Sequence, residues 1–107
     1  MNAKEELIRV INKKPIVSCA QIDILSMTNY AIDKKINLPM NYTQEMWDQF
    51  LKQLDFQYDN GYGIQQLSGT IWLINGDWFE RGEYDGSEWW EYKRCPQIPE
   101  YLKNIEL

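Results

Sequence analysis

Two glutamates, Glu80 and Glu91, lie in one short stretch that is both acidic and aromatic, GDWFERGEYDGSEWWEYKR, from Gly76 to Arg94. If this stretch reverses at Asp85-Gly86, the two carboxylates face each other across a hairpin at about 5 Å. A retaining glycosidase uses a carboxyl pair at about that separation, one as acid and one as nucleophile. The pair also begins a divalent-cation site, but two carboxylates are too few for a dedicated one. No third group joins them. The chain has no histidine, which removes the commonest general base, the Ser-His and Cys-His nucleophile pairs, and the commonest zinc ligand. Cys19 and Cys95 are the only cysteines and have no CxxC spacing, so they read as free thiols. DNGYG at 59–63 lacks the later Glu of a calcium loop and the Lys of a phosphate cradle, and reads as a turn. These residues imply no enzyme, no catalytic group, no metal and no cofactor.

Binding is the remaining chemistry, and charge gives it a sign. The 107 residues carry a net charge of −5, unevenly spread. Residues 1–54 hold seven Lys/Arg against six Asp/Glu, and residues 55–107 hold four against ten. A direct binder of nucleic acid shows the opposite balance. Within 77–91, Asp77, Glu80, Glu83, Asp85, Glu88 and Glu91 stand against one cation, Arg81. Such a surface is steered toward a basic partner, and salt weakens the encounter. Trp78 and Trp89 lie in the same stretch, and tryptophan is favoured where interfaces hold most tightly. The plain alternatives are a solvated acidic surface and two rings buried under a helix.

The elements that position these residues read as one α+β domain, 1–107: two helices packed on an antiparallel sheet with a C-terminal three-stranded meander. Length and 44% hydrophobic content suit a single modest core. Leu7, Ile8 and Ile11 make a helical stripe over 3–13, with Asn2 as cap and Pro15 beyond. PIVSCAQIDIL, 15–25, reads as a strand of the same sheet, with Ile16, Ser18, Ala20, Ile22 and Ile24 on one face. Residues 26–42 read mostly as loop. Thr43 caps a helix over 44–54, whose Trp47, Phe50 and Leu54 face the core. Strands follow at 66–74, 77–84 and 87–93, turned by Asn75-Gly76 and Asp85-Gly86. A helical turn over 100–105 closes the chain. No apolar run is long enough for a membrane span, the start lacks the apolar core of a secretory signal, and a cytoplasmic location is expected.

Two-residue turns fix the register. They place Ile74 opposite Asp77 and Tyr84 opposite Ser87. The core face then carries Trp72–Phe79–Tyr92 and Thr70–Arg81–Trp90, with Arg81 at the margin, near Glu83 or Glu88. The other face carries Leu73–Trp78–Lys93, Ile71–Glu80–Glu91 and Gly69–Gly82–Trp89, where the glycines leave a notch for Trp89. Glu80 opposite Glu91, and Glu83 opposite Glu88, set like charges side by side, which costs stability. A short helix over 87–94 is the alternative that would undo this register.

The segment GTIWLINGDWFERGEYDGSEWWEYKRCPQIP, Gly69 to Pro99, resembles a recurring segment of small phage- and prophage-type proteins of unknown function. The likeness rests on Gly69-Thr-Ile-Trp72, Gly76-Asp-Trp78, the run from Arg81 to Trp90 and the prolines Pro96 and Pro99, roughly the last third of the chain. It brings no activity and no catalytic residue with it. It implies an accessory protein of a mobile element. By analogy with small acidic phage proteins, it implies an inhibitor of bacterial defence or nucleic-acid-handling proteins, of anti-CRISPR or anti-restriction type, acting in the host cytoplasm. On that expectation Asp77, Glu80, Glu83, Asp85, Glu88 and Glu91 supply charge and Trp78 and Trp89 supply anchors. The partner is a protein with a basic surface, a nuclease or CRISPR-Cas component, with no direct nucleic acid and no membrane. The alternative is a structural or assembly module, a homodimer joined through the tryptophan face.

Overall fold

The computed structural model describes residues 1–26, 29, 31–61 and 64–103. Its order is α1 (Ala3–Ile11), β1 (Val17–Leu25), β2 (Ile32–Leu38), α2 (Gln44–Gln53), β3 (Leu67–Leu73), β4 (Trp78–Tyr84), β5 (Ser87–Lys93) and α3 (Glu100–Lys103). The class is α+β. All five strands join one sheet in the order β2-β1-β3-β4-β5, and each neighbouring pair is antiparallel. Part of Asp59–Gly63 and all of 104–105, where a turn and the end of the last helix were expected, lie outside the described residues.

Capping sets the helices. The Asn2 side chain accepts from Glu5 N, and Glu5 and Glu6 fill the first turn of α1, where the helix dipole favours acids. α1 stops at Ile11, two residues short of the expected end at 13, because Lys13 turns to φ 64° ahead of Pro15. Thr43 caps α2 by accepting from Met46 N at 3.1 Å. Phe50 of α2 and Leu54 just beyond it are buried, and Trp47 stacks between Tyr42 and Phe50. Leu7, Phe50 and Leu54 pack on Ile22, Ile36, Ile71, Phe79 and Trp90, so both helices cover one face of the sheet. α3 buries none of its residues.

Three expectations need correction. Residues 26–42 are not mostly loop: Ile32–Leu38 forms the edge strand β2, paired with β1 from Ala20↔Leu38 to Leu25↔Ile32. It buries only Ile36 and Leu38 and exposes Asp33, Lys34 and Lys35, the charged dress of a managed sheet edge. Ile16 does not join the core face. It is 66% exposed, because an irregularity between Val17 and Cys19 turns Val17 inward instead.

The third correction concerns register. β3 meets β4 through Thr70↔Glu80, Ile71↔Phe79 and Trp72↔Trp78, one residue off the expected pairing. The loop is Ile74-Asn75-Gly76, with Gly76 N donating to Leu73 O and Leu73 N to Asp77 O. Only Gly76 has positive φ, 93°, so this is a turn followed by one left-handed residue and not a two-residue reversal. The slip flips β3: Ile71 and Leu73 enter the core, and Trp72 moves to the open face at 42% exposure. At the second turn Asp85 and Gly86 both have positive φ, 50° and 86°, the pattern a two-residue turn demands. All seven expected pairs from Trp78↔Lys93 to Tyr84↔Ser87 are present, so 87–93 is strand and not helix.

Gly69 locks β3 to β1. Its φ is 132°, and a Cβ there would press into the Gln21 carbonyl and lie 2.9 Å from Ile22 Cα. We expect Gly69→Ala to lower stability by about 2–5 kcal/mol, from backbone strain plus the forced separation of two central strands. Urea unfolding checks this, and an unchanged midpoint would contradict the close approach.

Candidate functional site

The two faces of the β4–β5 hairpin treat their acids differently. On the inner face Phe79 pairs with Tyr92 and Arg81 with Trp90. Arg81 is not at the margin: its side chain is 1% exposed. Its guanidinium donates to Glu88 Oε1 at 2.8 and 3.1 Å, to Glu6 Oε1 at 3.2 Å, and to the Tyr58 hydroxyl. That hydroxyl in turn donates to Glu6. The cation also lies over the Trp90 ring, 4.9 Å from its centroid. Glu88 further accepts from Gln66 N at 2.7 Å and Leu67 N at 3.1 Å, fixing the entry to β3. The paired carboxylates Glu6 and Glu88 raise the Arg81 pKa despite its burial, which alone would lower it. Burial pushes the Tyr58 phenol well above its ordinary 10.0, and the hydrogen bond to Glu6 adds to the shift.

This network removes Glu88 from the expected binding surface. Glu88 is 2% exposed and neutralised within the molecule. It also resolves the Glu83–Glu88 conflict, because Glu88 turns inward to Arg81 while Glu83 turns to the hairpin tip and accepts from Gly86 N. Asp77 is likewise structural. It accepts from the Tyr92 hydroxyl, from Cys95 N at 2.8 Å and from Asn75 Nδ2 at 3.0 Å, tying β4 to the chain after β5. The Tyr92 hydrogen bond, followed by that from Cys95 N, holds its pKa below the ordinary 3.8.

The outer face is covered by neither α1 nor α2. Register lays three rows across it. Asn37, Gln21, Thr70, Glu80 and Glu91 form a polar row spanning all five strands. On one side runs Cys19, Trp72, Trp78 and Lys93. On the other, Trp89 lies against Gly82, so close that a Cβ there would be 2.8 Å from the indole. Trp78 Nε1 donates to Glu80 Oε1 at 2.8 Å, and Lys93 Nζ is 3.4 Å from Glu91 Oε1. Glu80, Glu91, Trp78 and Trp89 are thus brought together on this face. Glu83 and Asp85 stand exposed at the tip. Trp72 belongs with them and was missed through the register slip.

Other features lie elsewhere. An opening of about 280 Å³ is lined by Ile11, Lys14, Tyr42 and Trp47, and one of about 700 Å³ by Asp77, Tyr92, Arg94 and Cys95. Glu80 and Glu91 lie in neither. Among the described residues no cluster of three or more His, Cys, Asp or Glu side chains could hold a metal. No described helix is long and apolar enough to cross a membrane. Compared with known proteins, the chain matches no family model, no curated protein and no solved structure.

Glu6 and Tyr58 are the network members that sequence reading overlooked. The available signal was Arg81 itself, the one cation in the acidic run, set on the same strand face as Phe79. We expect Arg81→Met to cost about 3–5 kcal/mol in urea unfolding, because Glu6 and Glu88 are left buried without their cation. Adding Glu6→Gln and Glu88→Gln should recover part of that loss. Recovery of nothing would show that the charges are not the cause.

Asp77 gives a pH dependence of defined sign. Its folded pKa is depressed, so its stabilisation is fully present above the unfolded value near 3.8 and disappears as pH falls through the lower folded value. Asp77→Asn should therefore be less stable than the parent at neutral pH, and the gap should close in acid. Thermal unfolding across pH checks it, and a gap that widens in acid would refute it.

Proposed function

We propose that this chain is a small acidic binding protein, of phage origin, that covers a basic surface on a bacterial nucleic-acid-handling or defence protein. The target class is a nuclease or a CRISPR-Cas component, met in the cytoplasm of the host. The observation that carries this reading is the segregation of charge on the hairpin. Arg81 is spent on the inner face, while Glu80, Glu83, Asp85 and Glu91 stay on the outer face and tip, with Lys93 as their near cation. Trp72, Trp78 and Trp89 adjoin them. Exposed carboxylates speed the encounter with a cationic surface, and desolvated indoles slow its dissociation. The contact set is accordingly Glu80, Glu83, Asp85 and Glu91 with the three tryptophans, and Asp77 and Glu88 hold the fold that presents them.

A second reading, assembly as a homodimer, is favoured by one observation. Trp72 and Trp89 are 42% and 39% exposed on a sheet face that neither long helix covers. Sedimentation separates the two: a salt-insensitive dimer supports assembly, and a monomer supports heterologous binding.

Immobilised protein in bacterial lysate, eluted by a salt gradient and read by mass spectrometry, is expected to release a basic nucleic-acid-binding protein. The triple variant Glu83→Gln/Asp85→Asn/Glu91→Gln should retain at least about tenfold less of it, the loss expected for several rim charges acting through association rate. An eluate without any such protein, or equal retention by the variant, would overturn the reading.

A further inference from the structure

The geometry points to a narrower recognition event within the proposed function, on which it rests: the polar row on the outer sheet face receives an arginine side chain of the partner protein. Glu80 and Glu91 are directly opposed, yet no cation bridges them. Each carboxylate has one oxygen engaged, Glu80 Oε1 by Trp78 and Glu91 Oε1 by Lys93. The second oxygen of each has no partner among the described residues. Two free carboxylate oxygens a strand apart match the fork of a guanidinium, which presents several N–H donors in one plane.

The surroundings favour the same ligand. Trp78 lies two residues from Glu80 on one side of the row, and Trp89 two residues from Glu91 on the other. An indole face is the best aromatic platform for a guanidinium, which both stacks and carries charge. The row continues toward β1 through Thr70 and Gln21, which offer further acceptors. Asp23 lies two residues from Gln21 on the same face of β1, 8% exposed, and its Oδ1 is the one buried side-chain nitrogen or oxygen without a hydrogen-bond partner among the described residues. Its register neighbours Lys35 and Ser68 do not satisfy it. The face thus carries unengaged acceptor oxygens on Glu80, Glu91 and Asp23, the complement of arginine. Lysine brings a compact point charge without the fork or the stacking plane.

The test uses the full chain and two peptides of equal length, oligo-arginine and oligo-lysine, titrated at low salt and followed by tryptophan fluorescence and calorimetry. Oligo-arginine should bind at least about tenfold more tightly, the difference between a bidentate stacked contact and a point charge. Glu80→Gln and Glu91→Gln should each remove most of that preference. Both variants relieve a like-charge pair and should unfold no earlier than the parent. The tip variant Glu83→Gln/Asp85→Asn should weaken both peptides alike and leave their ratio unchanged. Equal binding of the two peptides, no binding of either, or a ratio insensitive to Glu80 and Glu91 overturns the inference. If the lysate partner is still captured by Glu80→Gln protein in those cases, the wider acidic-surface reading stands. If the arginine preference holds but no basic partner is captured, the wider reading fails and the arginine site remains.

Discussion

A guanidinium buried without solvent must find its partners inside the protein, and Arg81 finds them in three separate parts of the chain. Glu6 comes from α1, Tyr58 from the segment after α2, and Glu88 from β5. Stripping the charges of water is expensive, so the assembly is favourable only when the donors and acceptors are all in place. That requirement makes the network a device for uniqueness more than for raw stability. It fixes how β5 lies on β4, where α1 docks, and how the chain enters β3 through the Gln66 and Leu67 amides on Glu88. A sheet with five strands and little core at its β5 end would otherwise slide or fray there. At that end Phe79 packs edge-on against Tyr92, and the Arg81 cation lies over the Tyr58 and Trp90 rings.

The network also decides what the outside of the molecule looks like. The hairpin has one arginine and many acids, and alternation along a strand gives every side chain one of two faces. With Arg81 turned inward, its charge goes to Glu6 and Glu88, and among the described residues Glu91 of the outer row keeps Lys93 as its ion-pair partner. The interior takes the hairpin's one arginine at the expense of the exterior. The outer row, with Glu80 against Glu91, is a local electrostatic cost that no cation shared between the two carboxylates relieves, Lys93 lying by Glu91 alone and the Trp78 ring N–H by Glu80. The same opposition inside, Glu83 against Glu88, is relieved by an arginine. The contrast between the two rows is the reason the outer one reads as a surface awaiting a cation.

How much of this was legible in the sequence follows from how local each cause is. The β4–β5 register was readable because Asp85-Gly86 takes positive φ at both positions, the conformation that dipeptide favours. Asn75-Gly76 carries the same signature, yet the loop recruits Ile74 and uses left-handed geometry only at Gly76. The next strand's burial then chose Ile71 and Leu73 over Trp72. Edge strand β2 escaped notice because it buries only Ile36 and Leu38, too short an alternation to stand out from a loop. Glu6 was invisible as Arg81's partner because 75 residues separate them. From sequence it was one more acid in a helix's first turn, where acids are expected for another reason.

The tryptophans of the outer face are not loose side chains, and this bears on what they can do. Trp89 lies against Gly82, where the absent Cβ makes room for the indole. Trp78 is anchored by its ring N–H on Glu80, and Trp72 stands beside it across the strand pair. Binding surfaces lose affinity when rotamer-rich groups must be ordered on contact. Here Trp89 is seated by glycine, Trp78 by its hydrogen bond and Trp72 by register, and Glu80 shares that order through the Trp78 N–H. An interface of the proposed kind would meet part of its conformational cost during folding, through the same register that Arg81 enforces from the opposite face.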